Sequence, residues 1–155
     1  MFESMLPDRM LVFKKWGYLL FWATMVPLVP FSAMIGQDAG TQNYWAFFLY
    51  AVVFGIIPVL DFVIGKDPSN PDEATQVPAM SDERIYRVFT LIMAAVWLIV
   101  QAYAGYVFIH NDFSFWGKLG WMLSIGTVGG IIAINLGHEL IHKDPRLENW
   151  TGGLM

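Results

Sequence analysis

Four long apolar stretches, separated by short polar connections, organise this chain. Residues 16–36 (WGYLLFWATMVPLVPFSAMIG) carry no charge, and residues 44–64 carry one acid, Asp61. Residues 88–109 are uncharged, and residues 115–137 contain only Lys118. Each stretch is near the ~20 residues that a helix needs to cross a bilayer, so the pattern predicts an all-α bundle with four transmembrane helices. Pro27 and Pro30 are expected to kink the first, and Pro58 lies in the second; packed membrane helices tolerate such breaks. In the fourth, Gly126, Gly129 and Gly130 predict close helix approach. The connection 65–87 holds Pro68, Pro71 and Pro78, which disfavour continuous helix.

Composition supports a membrane protein. Of 155 residues, 56% are hydrophobic and 14% charged, with mean hydropathy +0.50, whereas a soluble domain carries about 25% charged residues. Aromatic residues make up 16%, including 7 Trp, as interfacial belts require. Cysteine is absent, which removes disulfides, thiolate zinc sites and iron–sulfur clusters; a metal would be held by His and carboxylate. Nothing suggests a nucleic-acid partner.

The charge distribution orients the chain. Arg9, Lys14 and Lys15 precede the first stretch, Lys66, Arg84 and Arg87 lie between the second and third, and Lys143 and Arg146 follow the fourth. The other two connections, QDAGTQN and HNDFS, have no Lys or Arg. The positive-inside rule places the N-terminus, the long connection and the tail in the cytoplasm of a multi-pass inner-membrane protein. The sequence NLGHELIHKD, residues 135–144, then falls at the cytoplasmic mouth of the fourth helix.

Within it, His138 and His142 are spaced i, i+4, so on a helix both imidazoles project from one face, one turn apart. Ionisable groups at membrane depth are costly and mark function. A metal-free pair of interfacial histidines is the bland alternative. His110, in the short far-side connection, reads instead as a solvated or capping residue. Two metal chemistries fit HELIH. In an intramembrane zinc metalloprotease, both histidines bind zinc and Glu139 is the general base. In a histidine-rich di-iron oxygenase, both bind iron and Glu139 stands beside the ligands. A non-catalytic membrane scaffold is a third possibility.

The flanks carry a resemblance. NLGHELIHK, preceded by a Gly-rich apolar stretch and followed by LENW, resembles the first histidine box of bacterial membrane-bound alkane monooxygenases. These are grouped with the fatty-acid desaturase and hydroxylase di-iron enzymes. PVLDFVIGKDPSNP (residues 58–71) resembles the end of that family's second helix and the loop after it, and DERIYRVFT (82–90) resembles its entry into the third. The resemblance implies O2-dependent hydroxylation of medium-chain n-alkanes to primary alcohols at a non-haem centre of two Fe. It implies His138 and His142 as iron ligands, and rubredoxin with its reductase as electron donors. The family is longer and has further histidine boxes downstream. This chain, residues 1–155, is therefore expected to be the N-terminal part of the oxygenase domain and inactive alone.

Other residues join as candidates. Asp61 is expected roughly level with His138, either paired with Lys66 or orienting a ligand histidine. Counting back at helical spacing, Ile57, Phe54 and Val53 broadly share its face with Pro58 and are candidates for lining an alkyl channel. Arg84, Tyr86 and Arg87 read as interfacial anchors, with the cytoplasmic Lys and Arg as a surface for an acidic electron donor.

Overall fold

The computed structural model describes residues 8–38, 40–65, 76, 84–141 and 146–154. Among these, all regular structure is helical. The first apolar stretch forms α1 (Asp8–Met25) and α2 (Leu28–Asp38), broken at Val26 and Pro27. The cause is local. Pro30 has no N–H to offer the carbonyl of Val26, and the Val29 N–H takes that carbonyl instead at 3.3 Å, while Phe31 N–H bonds Pro27 O at 3.1 Å. The expected kink is thus a full break.

The second stretch is divided further, into α3 (Gln42–Trp45), α4 (Phe48–Ala51), a π-helical segment (Val52–Ile56) and α5 (Ile57–Ile64). Pro58 cannot donate to Phe54 O, which leaves the turn before it free to widen. Gly65, at φ 80°, ends α5 with its N–H on Asp61 O at 2.9 Å.

The last two stretches give helices of 27 residues each, α6 (Arg84–His110) and α7 (Phe115–Ile141). Both outrun their apolar stretches. At 1.5 Å per residue each is about 40 Å long, against a hydrocarbon core of ~30 Å. Helix α7 therefore continues past Gly137 through His138 and Glu139. A short α8 (Arg146–Leu154) folds back on α7. Among the described residues, α6 and α7 are long and apolar enough to cross a membrane, with shorter apolar helices at Ala23–Gln37 and Phe48–Ile64. Most of the connection 65–87 lies outside the described residues.

The core forms where α2, α4, α6 and α7 meet, around Val29, Leu49, Trp97, Trp121, Val128 and Ile132. Its glycine contacts differ from the expected set. A Cβ on Gly129 would stand 3.2 Å from the Trp97 ring, a close approach as expected, but Gly126 and Gly130 face open space. The tightest approaches on α7 are at Gly117, against Asn43, and Gly120, against Phe47.

The two connections that lack Lys and Arg meet at one end. Gln37 donates to Asn111 Oδ1 at 2.5 Å, and Ser114 N–H and Oγ donate to Asn43 Oδ1 at 2.8 and 3.0 Å. His110 sits at this end with its ring N–H on Tyr106 O at 2.9 Å, stacked on the Tyr106 ring at 4.0 Å. It is exposed there, as the solvated reading expects. The C-terminal end of α7 lies at the opposite end of the bundle.

Candidate metal centre

The last turn of α7 carries the site. Gly137, Leu136 and Leu140 are buried in the packing, while His138 is exposed and Glu139 half-buried. The α-helical backbone runs through Ile141; His142 lies outside the described residues.

Helix α8 closes over this turn. A helix leaves its last four carbonyls without intrahelical partners. One of them, Ile141 O, receives the side-chain amide of Asn149 at 2.6 Å. Gly152 lies so close that a Cβ there would stand 2.6 Å from Ile141 N, 2.8 Å from Gly137 O and 3.0 Å from Leu140 Cβ. Glu148 is 4% exposed, the one charged side chain buried among the described residues, in the first turn of α8 where the helix dipole favours an anion. Sequence reasoning assigned nothing to Glu148, Asn149 or Gly152. The one available signal was an acid and an amide set close behind the histidine box in a short amphipathic segment.

The remaining candidates are less concentrated. Asp61 is in the last turn of α5 and exposed, and Val59, Leu60, Phe62, Val63 and Ile64 around it are all exposed too. Lys66, its suggested partner, lies outside the described residues. No three His, Asp or Glu among the described residues come together as a metal-holding group. Val53 and Phe54 fall inside the π-helical segment and Ile57 directly follows it. A π turn carries an additional residue, so the face counted at 3.6-residue spacing from Asp61 back to Val53 is displaced. Val53 and Ile57 are half-buried, whereas Phe54 is 61% exposed and its ring lies tilted against that of Tyr50 at 4.8 Å. Of the interfacial anchors, Arg84 is exposed, and the side chains of Tyr86 and Arg87 lie outside the described set.

Comparison with known proteins bears on the readings left open by HELIH. All 155 residues align with alkane 1-monooxygenase 2 of Alcanivorax borkumensis at 64% identity. Along its whole length, the chain is homologous to alkane 1-monooxygenases. The similarity extends to alkane 1-monooxygenase 2 of Pseudomonas aeruginosa, 42% identical over all of the chain, and to alkane 1-monooxygenase of Pseudomonas putida, 31% identical over 92% of it. The chain spans 41% of the length of the first two relatives and 34% of the third. No family model and no solved structure matches it. The zinc-protease reading of HELIH finds no support, since each of these relatives is named as a monooxygenase.

Proposed function

We propose that this chain is part of a membrane alkane 1-monooxygenase that converts medium-chain n-alkanes to primary alcohols with O2. The observation that carries the reading is the 64% identity to an alkane 1-monooxygenase over all 155 residues.

The donor set fits a non-haem di-iron centre in part. His138 and His142 would present two imidazoles from one helix face, a chemistry suited to iron. Further ligands would have to come from outside the described residues, because these assemble no three-residue group. When bound, the iron pair would supply O2 activation. This chain's own share would be to hold one face of that pair and to seat the alkane. Glu139, half-buried beside His138, would contribute negative charge next to the ligands, and Asp61 would orient a ligand histidine. Val53, Phe54 and Ile57 would line the alkyl path. Standing alone, the chain would be inactive.

The membrane setting follows from the same features. Only 28% and 33% of the apolar windows of α6 and α7 are buried, and residues such as Ile99 (69% exposed) and Ile134 (67%) face outward, as lipid contact requires. Four spans in the bacterial inner membrane, with the N-terminus and the histidine box cytoplasmic, would let alkane enter from the bilayer. Rubredoxin and its reductase would deliver electrons at the cytoplasmic face.

The test is a chimera in which this chain replaces its 64%-identical counterpart in the Alcanivorax borkumensis enzyme. It should bind iron and hydroxylate octane, and His138→Ala should remove both. A folded, membrane-inserted chimera that binds no iron would sink the reading.

A further inference from the structure

We propose that the groove between α6 and α7 holds one anionic phospholipid of the periplasmic leaflet, with its phosphate on Lys118 and one acyl chain along the groove. The inference rests on the membrane setting above and not on the iron chemistry.

The two halves of such a ligand meet two different features. The groove has a volume of about 420 Å³ and is lined by Gln101, Gly105 and Phe108 of α6 with Trp121, Met122 and Gly126 of α7. Gly105 and Gly126 keep it open outward, since a Cβ on either would meet nothing within 4 Å, and Met122 is 61% exposed. Its apolar wall is therefore presented to lipid chains. Lys118, in the first turn of α7, precedes Met122 by one turn on the same face. Its Nζ stands 6.0 Å from the Phe108 ring centroid, at the limit of a cation–π contact, which keeps the ammonium at the mouth of the groove. Lys118 is the one basic residue that the charge distribution puts at this end of the bundle. Among the described residues it pairs with no carboxylate, and an ammonium binds phosphate as a point charge. A zwitterionic phosphatidylcholine offers the same phosphate, but its choline cation opposes the lysine, so an anionic headgroup is the better match. Depth agrees as well. Lys118 to Gly126 spans about 12 Å of helix axis, against about 15 Å for one leaflet, half of the hydrocarbon core. At the deep end stands the Gln101 amide, its Nε2 3.6 Å from the Cβ position of Gly129, and this polar group ends the apolar run.

The experiment reconstitutes the complete chain in phosphatidylcholine vesicles with phosphatidylglycerol as the minor component, extracts it in mild detergent, and counts retained lipids by native mass spectrometry. Wild type should retain a lipid, with phosphatidylglycerol enriched about fivefold over the bulk ratio, the effect of one cation at a lipid surface. Lys118→Gln should return the retained lipid to the bulk ratio, and Lys118→Arg should keep the enrichment. Gly126→Leu fills the groove where the backbone has room and should cut retention severalfold for both lipids. Enrichment that survives Lys118→Gln overturns the headgroup contact. Retention that Gly126→Leu leaves unchanged overturns the groove and makes Lys118 a snorkelling side chain. Loss of the retained lipid in the chimera described above means that a helix of the remaining enzyme fills the groove, which also overturns the site. A chain that alkaline carbonate strips from the vesicles fails the membrane setting itself, whereas an inserted chain that retains lipid at the bulk ratio fails the lipid site alone.

Discussion

The hydroxyl of Ser124 on α7 stands between two backbone groups of the neighbouring apolar segment, accepting from Tyr50 N–H at 3.1 Å and donating to Ala46 O at 2.7 Å. An uninterrupted helix would pair that N–H and that carbonyl directly, since they are i and i−4. Insertion of a side chain into the ladder breaks a helix without a proline, which accounts for the interruption between α3 and α4. Ser124 and Ala46 are both fully buried, so the donated end of this bridge is shielded from water.

Replacing Ser124 by alanine leaves the buried Ala46 carbonyl and the Tyr50 N–H with no hydroxyl between them. The variant should lose about 1–3 kcal/mol of stability, read as a lower unfolding midpoint in detergent. No change in midpoint would mean that the two backbone groups re-pair on their own.

Glycine positions on α7 should separate into two classes. Gly120→Ala drives a methyl to 2.5 Å from the Phe47 ring and should cost about 1–3 kcal/mol through overpacking. Gly126→Ala meets nothing within 4 Å and should be neutral or stabilising in this chain, because alanine has the higher helix propensity. Thermal unfolding of the two variants side by side tests the packing.

Asp61→Asn should leave unfolding within about 0.5 kcal/mol of wild type, as expected of an exposed site. In the chimera, iron affinity should nevertheless fall by about 10–100-fold, the usual cost of removing a group that orients a ligand histidine. Undiminished iron content would remove Asp61 from the site.

In the same chimera, Val53→Trp should shift hydroxylation toward shorter alkanes, because Val53 is half-buried in the widened turn and added bulk would shorten the path. Product analysis across an alkane series measures this. An unchanged profile would exclude Val53 from the channel.

The absence of cysteine makes topology directly measurable. Single variants Asp112→Cys and Lys66→Cys should react with a membrane-impermeant maleimide from opposite faces of oriented vesicles. Asp112 should label from the periplasmic face and Lys66 from the cytoplasmic face. Labelling from one face would overturn the four-span arrangement.

The sequence by itself determined the helical class and the grouping of the connections 37–43 and 110–114 at one end. These follow from hydrophobic run length and charge, which act locally or through the surrounding medium and need no knowledge of neighbours. HELIH was equally legible as a metal-type spacing. Tertiary structure decided what depends on a residue far along the chain. The break at Ala46 is made by Ser124, the close approaches fall at Gly117 and Gly120 because Asn43 and Phe47 face them, and the histidine turn is held by Asn149 and Gly152 of α8. A π turn moved the predicted channel face out of phase. Hydrogen bonds to backbone and contacts with backbone atoms leave no periodic trace in a sequence, because any small or polar residue satisfies the local pattern and only the facing helix selects among them.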